Sequence, residues 1–176
     1  MTSAEEPTPG SSADLVPDAD PQSVARSIVL TSLTATAKTR HQLAQLLEKR
    51  NVPEEVAEAV LDRFVEVGLI DDRAFARNWV LSRSQGRGLA RSALSRELKQ
   101  KGVAPDLIAE ALELLTYEDE ETHARRLVEA KVRSFSGLPW EKKFARITGL
   151  LSRKGYSSGL AMRLAREYAS STDIVQ

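Results

Sequence analysis

The hydrophobic and polar positions of this 176-residue chain follow one pattern three times, at intervals of about fifty residues. In each copy, apolar residues at helical spacing lead to a basic residue, then Gly or Asn, then another apolar residue. The three copies are Arg50-Asn51-Val52, Lys101-Gly102-Val103 and Lys154-Gly155-Tyr156. A helix that stops and turns back needs a left-handed residue, which Gly adopts without strain and Asn tolerates. The pattern therefore predicts three copies of one helical unit, as in repeat proteins.

Helical periodicity divides each unit into three helices. The predicted helices are 23–35, 39–50 and 53–67 in the first unit, 72–85, 88–101 and 105–115 in the second, and 119–134, 140–154 and 158–170 in the third. Strand-forming residues are scarce, whereas Ala, Leu, Arg and Glu dominate the composition. We therefore predict an all-α fold of three tandem three-helix repeats that form an elongated, curved array.

The same pattern sets the predicted domain boundaries. Residues 1–21 contain five acids, no base and four prolines, a composition typical of a disordered acidic tail. Repeat 1 is predicted at 22–70, repeat 2 at 71–116 and repeat 3 at 117–170. Residues 171–176 are predicted to form a short C-terminal tail.

Composition excludes several classes of protein. The chain contains no cysteine, so it has neither a disulfide framework nor a thiolate site. No apolar run approaches the length of a membrane span, and the N-terminus lacks the residue order of a signal peptide. His41 and His123 lie in different units with no recurring His-acid spacing, so we expect no metal and no cofactor. We interpret the chain as a cytoplasmic protein without membrane contact, and expect it to be a monomer.

A net charge of zero hides blocks of opposite sign. There are seven bases and one acid from Arg77 to Val103, and eleven bases and two acids from Arg125 to Arg166. The segment Ala104–Ala124 between them has seven acids and no base. In the predicted helix 88–101 the bases fill an arc beside the apolar face, with Glu97 as the only local acid. A basic strip that is not neutralised is typical of a surface for phosphate or for an acidic protein, and a solvated helix face is the alternative.

Eleven bases from these two segments are our candidates for contact with a partner. They are Arg77, Arg83, Arg87, Arg91, Arg96, Lys99, Arg125, Arg126, Lys131, Arg153 and Lys154. No nucleophile elbow, phosphate loop, metal-ligand spacing or acid pair occurs in the chain, and catalysis needs some such convergence. We therefore expect a protein without enzymatic activity.

Several phrases of the sequence, taken in order, resemble one known family. They are Gly68-Leu69-Ile70-Asp71-Asp72-Arg73-Ala74-Phe75-Ala76-Arg77, the positions Arg83, Gly86, Arg91, Leu94 and Leu98, then Lys101-Gly102-Val103, Ala124-Arg125-Arg126-Leu127-Val128-Glu129-Ala130-Lys131 and Leu151-Ser152-Arg153-Lys154-Gly155-Tyr156. Together they closely resemble the RecX family of recombination regulators over about residues 23–170.

The resemblance implies a fold of three tandem three-helix repeats and a function without catalysis. Proteins of this family bind the RecA recombinase, chiefly as its filament on single-stranded DNA, and inhibit its ATPase, strand-exchange and coprotease activities. The resemblance thus implies a regulator of recombinational DNA repair and of the SOS response. The eleven bases would then contact recombinase or DNA, and we expect binding to single-stranded DNA alone to be weak and non-specific.

A helix-turn-helix-like DNA-binding protein is the alternative, since three-helix units resemble that motif. Its recognition helix would be the last helix of a unit and would enter a groove lined by phosphates. In the first unit that helix carries five acids against Arg63 alone, and in the second unit it carries three acids and no base. Phosphates would repel such helices. We therefore favour a modulator that lies along a nucleoprotein filament.

Overall fold

The structure is a computed structural model that describes residues 20–171. Within that range the chain forms nine α-helices and no strand. They are α1 (Pro21–Ala35), α2 (Arg40–Lys49), α3 (Glu54–Glu66), α4 (Asp72–Arg87), α5 (Arg91–Gln100), α6 (Pro105–Leu112), α7 (Tyr117–Val132), α8 (Trp140–Arg153) and α9 (Ser158–Ser171). None of these helices is long and apolar enough to cross a lipid bilayer. The predicted all-α fold of three successive three-helix units is confirmed.

The helix ends follow local hydrogen bonding and differ from the predicted ends by a few residues. Helix α1 begins at Pro21, within the segment that we assigned to the tail, because the carboxylate of Asp20 accepts hydrogen bonds from the amides of Gln22 and Ser23. The rest of the predicted N-terminal tail, and residues 172–176 at the other end, lie outside the described residues. Helix α4 runs on to Arg87 and stops at Gly88, which has a φ of 59°.

The repeated phrase ends the second helix of each unit in one way. In every copy the amide of the apolar residue donates to the carbonyl five residues earlier, as in a Schellman motif. The donor–acceptor pairs are Val52–Leu47 at 3.1 Å, Val103–Leu98 at 3.1 Å and Tyr156–Leu151 at 3.2 Å. The residue before the donor is left-handed in each copy, with a φ of 57° at Asn51, 75° at Gly102 and 89° at Gly155. The repeat inferred from the sequence is therefore a structural repeat.

Each unit has its own apolar core. In the first unit the core lies between Ala25 and Ile70, and in the second between Phe75 and Leu115. In the third it runs from Ala124 to Ala165. Ala90, at the start of α5, is fully buried in the core of the third unit rather than in that of its own. The second and third units therefore share apolar surface.

Hydrogen bonds join the first unit to the second at the start of α2. The hydroxyl of the buried Thr39 donates to the carbonyl oxygen of Lys101 at 2.6 Å. The amide of Arg40 donates to the carboxylate of Asp72 at 2.9 Å. The end of α5 and the start of α4 thus meet the first turn of α2.

The second unit is joined to the third in the same way. The hydroxyl of Ser92 donates to the carbonyl oxygen of Gly155 at 2.6 Å. The amide of Arg91 donates to the carboxylate of Glu120 at 2.7 Å. The end of α8 and the first turns of α7 therefore meet the start of α5, which is the counterpart of α2. Corresponding pairs of helices meet at both junctions through different individual hydrogen bonds, so successive units stack in a similar order.

Candidate functional site

Two turns pack against each other and share hydrogen bonds where the second unit meets the third. The turn after α8 lies against the turn between α4 and α5. The ammonium group of Lys154 donates to the carbonyl oxygen of Arg87 at 2.8 Å, and the carbonyl oxygen of Lys154 accepts from the amide of Ala90 at 3.0 Å. The hydroxyl of Tyr156 donates to the carbonyl oxygen of Gly88 at 3.0 Å, and burial raises the pKa of this phenol well above its ordinary value.

A cavity of about 380 Å³ opens beside these turns and is lined by three cations, Arg87, Arg126 and Lys154. We call it the junction cleft; its remaining wall is formed by Ser84, Gln85, Gly86, Gly88, His123 and Leu127. Among the residues that the structure describes, no carboxylate lines it. The Nδ1 atom of His123 is buried and has no hydrogen-bond partner in the described part of the chain. The cleft therefore combines positive charge with an unsatisfied polar atom.

A second cavity, of about 420 Å³, lies between α7 and α8. We call it the α7–α8 groove; it is lined by Lys131, Phe135, Ala145, Arg146, Leu150 and Arg153. The guanidinium of Arg146 lies 5.6 Å from the centre of the Phe135 ring. Within residues 20–171, no carboxylate lines this cavity either. Arg146 was not among the eleven predicted bases, although it stands seven residues before Arg153 and so on the same face of α8.

The cleft and the groove follow one side of α7. His123, Leu127 and Lys131 are spaced four residues apart, so they lie one above another along that helix. The first two line the cleft and the third lines the groove. At the other wall, Lys154 lines the cleft and its neighbour Arg153 lines the groove. We name the surface formed by both cavities the basic track; its six cations are Arg87, Arg126, Lys131, Arg146, Arg153 and Lys154.

Arg125 lies apart from the basic track and is neutralised within the third unit. Its guanidinium is 2.9 Å from the carboxylate of Glu121 and 2.6 Å from that of Glu167. Glu121 also accepts from Arg163 at 2.6 Å. Hydrogen bonds from Arg163 and Arg125 hold the pKa of Glu121 down at about 2. These ion pairs tie α7 to α9 and leave Arg125 little capacity to bind a partner.

The guanidinium of Arg83 packs against the indole ring of Trp79. Its guanidinium carbon lies 4.3 Å from the ring centre, and the ammonium nitrogen of Lys101 lies 4.2 Å from it. The indole N–H donates to Glu97 at 2.8 Å, and Glu97 also lies 3.6 Å from Arg87. Trp79 is half-buried and packs against the edge of the core of the second unit, so its ring lies between the core and the cations of Arg83 and Lys101.

The other predicted bases of the second unit occupy three different settings. Arg91 is half-buried and donates to the carbonyl oxygen of Leu115 at 2.7 Å. Arg96 and Lys99 are exposed on α5 without a carboxylate partner among the described residues. Arg77 is exposed on α4, about 120° around that helix from Arg83.

Five of the eleven predicted bases thus meet in the basic track: Arg87, Arg126, Lys131, Arg153 and Lys154. The other six do not join it. Contact of all eleven with a partner stays a prediction. No group of three or more His, Asp or Glu residues in the described part of the chain could hold a metal ion.

The fold and the basic track define the class of this chain: a protein of tandem three-helix units with a positively charged surface. Two family models match it. They describe the first three-helix domain of RecX, over residues 25–64, and the second three-helix domain of RecX, over residues 71–112.

Curated relatives extend the match over most of the chain. The protein named regulatory protein RecX from Streptomyces coelicolor is 54% identical over 151 residues, which are 86% of this chain and 80% of the relative. The one from Thermobifida fusca is 50% identical and covers 81% of this chain and 77% of its own length. The one from Mycolicibacterium smegmatis is 41% identical, over 78% of this chain and 75% of the relative. The chain belongs to the RecX family.

Two solved structures agree with this assignment. A crystal structure of a regulatory protein RecX has a TM-score of 0.72 and 27% identity, over 81% of this chain and 70% of that one. The crystal structure of RecX from Lactobacillus salivarius has a TM-score of 0.75 at 20% identity, over 89% of this chain and 99% of that one, and supports the fold. The relatives are named regulatory proteins, which points to a role without catalysis for this chain.

Proposed function

We propose that this protein is a non-catalytic regulator that binds the RecA recombinase and its filament on single-stranded DNA. It inhibits the ATPase, strand-exchange and coprotease activities of the recombinase, and so modulates recombinational DNA repair and the SOS response. In this proposal it acts in the cytoplasm as a monomer. Membership of the RecX family supports the proposal, and the observation that carries it is the carboxylate-free basic track.

Such a regulator needs no chemistry of its own. Three stacked units offer more surface than one compact domain, so the protein could contact more than one recombinase protomer together with the DNA that they hold. Binding that favours a filament state with slow nucleotide turnover would shift the filament toward that state. Exposed cations without ion-pair partners, such as Arg96 and Lys99 on α5, suit acidic protein surface or phosphate.

The structure does not favour the alternative of a helix-turn-helix reader. Helix α3 presents an acidic surface, where Glu58 and Asp62 each accept from Arg40 at 2.6 Å. Helix α6 contains two acids and no base, and Glu110 lies 3.2 Å from Arg73 of α4. Either helix would carry negative charge into a groove lined by phosphates.

ATP hydrolysis tests the proposal. The recombinase of the same organism is assayed on single-stranded DNA with increasing amounts of this protein, and hydrolysis should fall as the dose approaches one regulator for each recombinase protomer. Bovine serum albumin at the same concentrations serves as the control for non-specific effects. Unchanged hydrolysis at a one-to-one ratio would reject the proposed function.

A further inference from the structure

We propose that the basic track binds the phosphodiester backbone of single-stranded DNA, with phosphates of one strand held in the junction cleft and in the α7–α8 groove. This inference rests on the proposed function, and it assigns the DNA contact to one surface of the third unit and its junction with the second. The remaining exposed cations are then not required for binding to bare DNA.

The track differs in charge from the other cavities near the first junction. A cavity in the first unit is lined by Glu48, Glu54 and Glu58. Another, beside the start of α4, is lined by Asp71 and Asp72 and by Arg40 and Arg73, which are both in ion pairs with other carboxylates. An anion in either place would meet carboxylates at close range. The junction cleft and the α7–α8 groove have three cations each and no carboxylate, so the attraction for a phosphate is concentrated there.

The cations of the track keep free donors. Arg126, Lys131, Arg146 and Arg153 have no carboxylate within ion-pair distance among the described residues. Lys154 has three N–H donors and uses one of them on the carbonyl oxygen of Arg87. That bond fixes the ammonium group at the wall of the cleft, so two oriented donors remain for an anion. A phosphate oxygen is a strong acceptor for such groups.

The spacing of the two cavities fits a single strand. His123 and Lys131 are eight residues apart on α7, which is about 12 Å along the helix axis. In a stacked strand each nucleotide advances by about 3.4 Å along the helix axis, and by more when the strand is extended. The separation therefore spans no more than about four nucleotides, and one continuous strand can occupy both cavities.

The test compares two triple variants that remove the same charge. The track variant carries Arg126→Ala, Lys131→Ala and Arg153→Ala, which are exposed and without ion pairs. The control variant carries Arg26→Ala, Lys49→Ala and Arg50→Ala, three exposed bases of the first unit. Circular dichroism melts of both should match that of the parent protein, because substitutions at exposed sites change stability little.

Fluorescence anisotropy then measures the affinity for a labelled thirty-nucleotide oligothymidine between 0.05 and 0.3 M salt. We expect the log–log salt slope of the track variant to be shallower by about 2, at about 0.7 for each lost phosphate contact, and its affinity at 0.05 M salt to fall on the order of 10²-fold. The control variant should keep the slope and affinity of the parent.

Three results would overturn the inference. Equal losses of affinity in both variants would show that binding depends only on the total charge of the protein. Unchanged affinity in both variants would show that DNA does not bind at the basic track. Displacement of the oligonucleotide by millimolar inorganic phosphate, but not by sulfate at equal ionic strength, would assign the cleft to a free phosphate ligand instead.

The recombinase assay separates this inference from the proposed function. If the track variant binds DNA like the parent but no longer inhibits ATP hydrolysis, the track is a protein-binding surface, and the proposed function stands while the DNA assignment fails. If the parent protein never inhibits hydrolysis but its variants show the expected slopes, the proposed function fails and the DNA surface stands.

Discussion

Replacing Gly155 by Ala should open the junction between the second and third units. Gly155 has a φ of 89°, where an L-residue is strained by about 1–2 kcal/mol. A Cβ added there would lie 2.7 Å from both the backbone nitrogen and the Cβ of Ala93, and 2.8 Å from the hydroxyl oxygen of Ser92. The nitrogen belongs to the first turn of α5 and cannot rotate away as a side chain could. Either the turn after α8 or the start of α5 must therefore shift.

The magnitude follows from two contributions. Backbone strain costs about 1–2 kcal/mol, and forced overpacking of a tight contact costs about 1–3 kcal/mol. The free energy of unfolding should therefore fall by about 2–5 kcal/mol in total. Gly68→Ala is the matched control, because Gly68 also has a positive φ, 74°, but a Cβ there would meet nothing within 4 Å. The control should lose only the strain contribution.

Two measurements check this prediction. Urea unfolding followed by circular dichroism at 222 nm gives the free energy of unfolding for the parent and both variants, with the slope m expected to stay constant. Amide hydrogen exchange identifies the part of the chain that the substitution destabilises. The amide of Ala90 donates to the carbonyl oxygen of Lys154 across the junction, so it should exchange faster in Gly155→Ala and not in Gly68→Ala.

The reasoning would be refuted if the two variants lost the same free energy of unfolding. It would also be refuted if Ala90 kept its protection in Gly155→Ala, because the junction would then tolerate an added methyl group at its closest contact.

Two further predictions concern the same unit. Tyr156→Phe removes the donor that satisfies the carbonyl oxygen of Gly88, so the melting temperature should fall by an amount that corresponds to about 1–3 kcal/mol, and an unchanged value would contradict the buried hydrogen bond. Because Arg163 and Arg125 lower the pKa of Glu121 from 4.5 to about 2, its ion pairs stabilise the fold fully above about pH 4.5 and are lost as the pH falls through 2. Glu121→Gln should therefore melt below the parent at pH 6, by a difference that shrinks as the pH falls toward 2, and a constant difference would contradict the ion pairs.

Helices and their stops could be predicted from the sequence because their signals are local. A left-handed residue followed by an apolar one ends a helix through hydrogen bonds within six residues. Each of the three repeated motifs therefore specifies its own helix end. The end of α4 was harder to predict. Gly86 and Gly88 both offer a stop, and the helix passes the first and ends at the second. A Cβ at Gly88 would lie 2.7 Å from a side-chain carbon of Leu127, which is a contact between units that no local pattern reveals.

The positive charge of the candidate site could be predicted from the sequence, but the arrangement of its cations on the surface could not. Counting bases and acids located the two basic segments, since composition needs no geometry. Their division into engaged and available cations depends on contacts far apart in the chain. Arg125 pairs with Glu167 forty-two residues away, and Lys101 reaches the ring of Trp79 on another helix. From the sequence one can identify only those ion pairs whose acid lies within one helical turn of the base.

The one exception in the repeated phrase follows from the stacking of the units. Asn51 holds a φ of 57°, which Asn tolerates at some strain, whereas the corresponding positions are Gly102 and Gly155. A Cβ at Gly102 would overlap the side chain of His41 at the start of α2, and a Cβ at Gly155 would meet the start of α5. Each glycine therefore allows close contact with the preceding unit, in addition to the left-handed turn in which it lies. The described part of the chain has no unit before the first, so only the turn constrains position 51, and a side chain is accommodated there.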